Sequence, residues 1–271
     1  MARNRFLAPA RSSVDASVFD HPAFADFRDF RDLLESPEWP EIAALSERLA
    51  NRAGVRFVRQ DDVLLRDGRH YETRIHAHAA VATRAENWHD LFNALVWAKH
   101  APVKRALNAR QVAEIARHGP HQRSRAQCAL THFDEAGALV WASEAALLAA
   151  WDAHDWRSFF GQRTAFADGA LRVHIFGHAL LEHALIPERL PTAKCLALCG
   201  GVPDDWQATL AAAIAAGTVL ADPQELRPLP LAGIPGWASG QQTPGFFGGE
   251  CFRPLRDGRR YPAPLAAAPG A

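Results

Sequence analysis

The 271-residue chain predicts an α+β fold: a single compact domain of helices packed on a small mixed sheet, with an extended Pro/Gly-rich C-terminal wrap. Three observations carry that expectation. Apolar residues recur at helical spacing in several long stretches, and short β-rich runs lie between them. About half of all residues are hydrophobic (48%), enough for a substantial core. From Arg227 onward Pro and Gly break every stretch, so the tail cannot be regular helix, yet its aromatics need something to pack on. No repeat or linker divides the chain. The main body is expected over 19–226, the wrap over 227–260 and a disordered tail over 261–271.

Residues 19–53 are expected to be helical. Phe24, Phe27 and Phe30 repeat at helical spacing, and Pro40 opens a second helix through Ile42, Leu45 and Leu49. Val55–Val58 and Tyr71–Val81 read as strands joined through the polar Asp67-Gly68 region, the second with Glu72, Arg74, His76 and His78 on one face. Thr83, with Glu86 three residues on, has the form of a capping box for a helix starting near Trp88. Pro102 breaks that helix and starts another, which ends near His118-Gly119-Pro120. Ala129–Phe133 and Ala138–Trp141 suggest a hairpin around Asp134-Glu135-Ala136-Gly137. Ser143 then caps a helix running towards Trp151. Leu171–Phe176 reads as a strand, Gly177 as a break and His178–Ile186 as a helix. Lys194–Leu198 adds a strand and Asp204–Ala216 a helix.

Thirty basic residues balance thirty acidic ones, so no global field draws the chain to nucleic acid or to a membrane. The Ala-rich run Leu210–Ala221 is too short to span a bilayer. The first residues lack the apolar core of a signal peptide. Cys128, Cys195, Cys199 and Cys251 form neither CxxC nor zinc-finger spacing, as expected of free thiols in the cytoplasm. There is no Walker loop, no GxGxxG after a strand, and no HExxH or GxSxG, so the common nucleotide, Rossmann and serine-hydrolase readings drop.

The stretch from Glu86 to Trp97 is the most informative. Trp88, Leu91, Phe92, Ala94, Leu95, Val96 and Trp97 make it apolar nearly all round, the pattern of a buried helix. His89, Asp90 and Asn93 interrupt that pattern, and buried polar groups need partners. His178 and Glu182 lie four apart on one helix face, as do His89 and Asn93. Such His/carboxylate sets suit Zn, Mn or Fe, and they suit ordinary pairing equally. Asp134 and Glu135 are either turn formers or a general base, with His132 on the same side of the expected strand as Asp134. Between Lys99 and Gln127 lie Lys99, Lys104, Arg105, Arg110, Arg117, Arg123 and Arg125, against one carboxylate, Glu114. This run reads either as a phosphate or nucleic-acid contact or as a solvated helix face.

The blocks Asn87–Trp97, Ala129–Glu135, Phe176–Glu182 and Gly233-Ile-Pro-Gly-Trp237 resemble the signature of a bacterial family, domain-of-unknown-function family 3025. The resemblance spans roughly Tyr71 to Arg253 and implies no activity, cofactor or substrate. A basic residue often follows the Glu of the Gly-His-Ala block in that family, where this chain has His183.

Chemistry alone therefore frames two expectations. One is a metal-dependent hydrolase, with His89, His178 and Glu182 as ligands of a divalent transition metal (Zn, Mn or Fe). Asp134 or Glu135 would then act as base, supported by Asp90 and Asn93, while Lys104, Asn108 and Arg74 hold an anionic, phosphate-containing substrate. The other is a non-catalytic protein that binds nucleic acid or phosphate, its buried polar residues a structural network. The first requires His89 and His178 to open into one cleft.

Overall fold

The computed structural model describes residues 6–120, 122–201 and 206–266. The α+β expectation holds. β1 (Arg56–Arg59) and β2 (Ala80–Thr83) pair in parallel, Arg56 opposite Ala80. A larger mixed sheet contains β3 (Gly137–Ala142), β4 (Leu171–Ile175), β5 (Thr192–Cys199), β6 (Arg227–Pro230) and β7 (Leu265–Ala266). Its order is β4-β3-β5-β6, with β7 also pairing with β5. β3 lies antiparallel to β4 and parallel to β5. It is buried along its whole length, which its uninterrupted Gly-Ala-Leu-Val-Trp-Ala sequence allows.

The Trp88–Lys99 helix runs through the core, buried on nearly every face as its sequence predicts. The Ile42–Ala53 helix and the Ala101–His118 helix pack against it. Phe24, Phe27, Phe30, Leu49, Phe92, Phe133 and Phe176 belong to one continuous core. Each such side chain contributes roughly 1.5–3 kcal/mol on burial. Among the described residues no helix is long and apolar enough to cross a membrane.

Four local expectations are corrected. Tyr71–His78 is a helix, capped by the His70 ring accepting from the Glu72 amide and ended by Ala79 at φ 48°. Its alternating polar residues imitate a strand, but Arg74 and Ile75 are both buried, which two-fold alternation on a half-buried strand forbids. Only Ala80–Thr83 is a strand there. The hairpin expected over 129–141 is instead the Arg125–Ala136 helix leading directly into β3. A reciprocal capping box, Ser124 with Gln127, starts that helix and outweighs the turn-like Asp134-Glu135. On a helix His132 and Asp134 point apart, and His132 is exposed. Asn87, not Thr83, caps the Trp88 helix, its side chain accepting from the Asp90 amide. Ser143 caps nothing; its amide donates to the Ala170 carbonyl, and a 3-10 turn, Ala145–Leu148, leads into the short Ala149–Asp152 helix.

The C-terminal segment packs on the body, as an extended wrap with aromatic anchors requires. Its first four residues are β6, paired with β5. Arg227 is buried, ion-paired with Asp152, and donates to the Pro262 carbonyl. Trp237 packs beside His21, and Phe252 lies against Trp156 and Phe160, as aromatics in such a segment require. Order reaches beyond 260. The Tyr261 hydroxyl pairs with His154, and β7 pairs with β5. Residues 267–271, also expected to be disordered, lie outside the described residues.

Candidate functional site

Three elements converge at one point: the first turn of the Trp88 helix, the first turn of the His178–Ala184 helix, and the last turn of the Arg125 helix. The second and third touch backbone to backbone. The amides of Phe176 and Gly177 both donate to the Gly137 carbonyl. A Cβ at Gly177 would collide with the Glu135 carbonyl oxygen and the Gly137 nitrogen, so only glycine fits.

His89 Nε2 and His178 Nε2 lie 3.0 Å apart. Glu135 Oε2 is 3.6 Å from the first and 3.4 Å from the second. Among the described residues these three are the one His/Cys/carboxylate group whose ligand atoms cluster as a metal requires. Tetrahedral coordination at about 2.0–2.1 Å spaces ligand atoms roughly 3.3–3.4 Å apart, close to this triangle. His89 and His178 thus meet in one cleft, as the metal reading required.

Glu182 is close to the triangle but does not belong to it. Its Oε2 pairs with His89 Nδ1 at 3.0 Å, on the far side of the ring. Glu182, expected as a ligand, thus lies outside the three-atom cluster, and Glu135, expected as a base, lies within it. Burial works against the His89 imidazolium, but the Glu182 hydrogen bond and the facing Glu135 outweigh it and raise the pKa. His178 is held well below its usual value by burial first, then by Lys104 and His89. Burial, only partly offset by His89, raises Glu135.

In front of the triangle opens a polar cleft of about 380 Å³. Lys104, 4% exposed, spans it, donating to Asn93 Oδ1 at 2.9 Å and to Asp134 Oδ1 at 2.6 Å. Asn93 in turn donates to the Tyr71 hydroxyl. Asn108 donates to the Glu72 carboxylate at 2.6 Å. Burial and the neighbouring Asp134 push the Glu72 carboxyl up to about 7. Asp90 borders the cleft but is locked to Arg84 by a two-pronged ion pair and by the Arg84 amide.

The expected substrate contacts divide. Lys104 and Asn108 line the cleft; Arg74 does not. On its helix Arg74 turns inward to Asp67 and the Leu64 carbonyl and pins the preceding loop. Much of the basic run is already paired within the protein. Arg105 donates to the Ala53 carbonyl, Arg110 to the Ile214 carbonyl, Arg117 pairs with Glu114, and Arg125 pairs with Asp222. Sequence reasoning missed Glu72, Tyr71, Arg84 and Gln111. Reading 71–78 as a helix would have brought the first two forward.

Neither a curated protein nor a solved structure matches the chain. One family model does, described as "Protein of unknown function (DUF3025)", over residues 55–256. That match runs from β1 past every residue of the triangle and its cleft to just beyond Phe252 in the C-terminal wrap. The chain belongs to the DUF3025 family.

Proposed function

We propose that this protein is a metal-dependent hydrolase whose ion, zinc, manganese or iron, is held by His89, His178 and Glu135. The observation that carries the reading is the triangle of 3.0, 3.4 and 3.6 Å between three ligand atoms at the head of a polar cleft. Two imidazoles and one carboxylate with an open side is the donor set of catalytic sites. A divalent ion held there would supply an acidified water, with a pKa of about 7, as nucleophile. Glu182 fixes the tautomer and ring plane of His89. Asp134, with Oδ1 held by Lys104 and its side chain lining the cleft, would be the carboxylate that takes that water's proton and passes it to the leaving group. Asp90 and Asn93 hold neighbouring groups in place. Four free thiols suit the cytoplasmic location proposed with this activity.

The anionic, phosphate-containing substrate finds little support in this geometry. Lys104 and Arg84 are already paired with carboxylates, and Arg74 lies elsewhere.

The test is elemental analysis of tag-free protein, followed by hydrolysis assays on ester, amide and phosphodiester panels. About one transition-metal ion per chain is expected, with chelator-sensitive hydrolysis. Protein that neither carries nor accepts zinc, manganese or iron would overturn the metal centre. Bound iron that consumes oxygen would overturn the hydrolytic half.

A further inference from the structure

The cleft continues beyond the triangle, and its far end has an uneven chemistry. The side-chain amide nitrogen of Asn108 is spent on Glu72, both on its carbonyl at 2.9 Å and on its carboxylate. The amide nitrogen of Gln111 is spent on the Gln127 carbonyl and on Thr131 Oγ1. Those partners fix both amide orientations, because each nitrogen faces oxygen acceptors. The carbonyl oxygens, Asn108 Oδ1 and Gln111 Oε1, accept from no donor among the described residues. Both residues are more than nine-tenths buried and both line the cleft, yet neither oxygen is among the sealed, unpartnered atoms. The oxygens therefore open onto the cleft.

Glu72 adds a carboxylate oxygen, Oε1, with no donor among the described residues, and Asp134 adds Oδ2. Lys104, the buried cation that acts on Glu72, is committed to Asn93 and Asp134. Arg123 is exposed and lines the cleft. The interior thus offers four acceptors and few donors. A phosphate or carboxylate would meet oxygen lone pairs there. A protonated nitrogen would find charge-assisted acceptors there.

We propose that the far end of the cleft, built from Glu72, Asn108, Gln111 and Asp134, binds a cationic nitrogen group of a small molecule, an alkylammonium or a guanidinium. The cavity volume suits a small molecule. As a substrate class this rests on the metal centre proposed above; as a binding site it stands on these oxygens alone. The ionisation of Glu72 agrees with it. The charged groups acting on Glu72 are Asp134, Lys104 and Arg123, and in their company burial keeps its carboxyl near 7. A bound cation would stabilise the carboxylate, so at pH 6.5 binding should release a proton.

The experiment is isothermal titration calorimetry on the full chain after chelator treatment, so that the result does not depend on any metal. The probes are butylammonium, 1,4-butanediammonium and guanidinium, with 1-butanol as the uncharged match and inorganic phosphate as the anion. Saturable binding of a cationic probe, at least about tenfold tighter than 1-butanol or phosphate, is expected. Repeating the titration at pH 6.5 in two buffers of different ionisation enthalpy should show proton release. In Glu72→Gln both the tenfold preference and the proton release should vanish. If that variant fails to fold, the wild-type ranking decides. Phosphate binding as tight as the cations, no saturable cation binding, or a preference unchanged in folded Glu72→Gln would overturn the inference. Metal analysis of the untreated protein is a separate measurement, so either reading can fail while the other stands.

Discussion

Two clusters in this molecule are made of the same parts, and only one resembles a site. In the first, His89, His178 and Glu135 direct three ligand atoms at one point. In the second, His174 Nδ1 pairs with Asp26 at 3.0 Å, while His174 Nε2 is sealed without a partner. Nearby, His100 lies among the rings of Phe27, Phe176 and Trp206. Neither ring nitrogen of His100 makes a well-formed hydrogen bond, although the Gln207 amide is close. Burial pushes its pKa down to about 4. The second cluster also borders a cavity, of about 300 Å³. Buried histidines, a carboxylate and a cavity are therefore not sufficient. What separates the clusters is convergence: lone pairs aimed at a shared point in one, at separate neighbours in the other.

The largest effect should come from His178→Ala, which removes a corner of the triangle. Metal content should fall from about one ion per chain to trace, while the unfolding free energy of the metal-free protein moves by about 1 kcal/mol. Unchanged occupancy, read by elemental analysis, would put both clusters in the same structural class.

The second cluster should reveal itself in acid. His100 has a folded pKa of about 4 against about 6.5 unfolded, so the unfolded chain takes up the proton first as pH falls. The stability it protects is complete above pH 6.5 and is lost between 6.5 and 4, on the order of 3 kcal/mol in all. Urea midpoints across that window measure it. His100→Leu should flatten the slope, and an equally steep slope in that variant would assign the acid sensitivity elsewhere.

A smaller change, Glu182→Gln, sharpens the contrast between holding a metal and orienting its ligand. Metal should still bind, about 10–100-fold more weakly, as competition with a chromogenic chelator would report. Complete loss would return Glu182 to the ligand set. Smallest is Asp26→Ala, which strands His174. Stability should drop by about 1 kcal/mol, at the low end because Asp26 is part-exposed, with metal content untouched. Any loss of metal would couple two clusters that are separate here.

The sequence made the two histidines visible because each is a polar interruption in an otherwise apolar helix. The Trp88 helix, β4, β5 and the helix beginning at His178 were legible for the same reason: their apolar periods are strong and local. Glu135 was legible as a polar residue but not as a corner of the triangle. Its place depends on the Arg125–Ala136 helix, and Asp134-Glu135-Ala136-Gly137 looks like a turn when read locally. The capping box at Ser124 and Gln127, ten residues upstream, held the correcting signal. Glu72 was hidden by a similar accident, alternating polar residues on a short helix. Distances between residues 89, 135 and 178 are set by packing, which no local pattern encodes.

Gly177 gives the arrangement a mechanical property. The carrier of Glu135 and the carrier of His178 rest main chain on main chain, with no side chain between them to compress or rotate. Their separation is thus a dimension of the scaffold itself and does not depend on side-chain rotamers. A spacer that cannot be adjusted keeps its length when surrounding core residues are exchanged, so the walls of the cleft can change while the main-chain spacing beneath two of its three converging groups stays gauged.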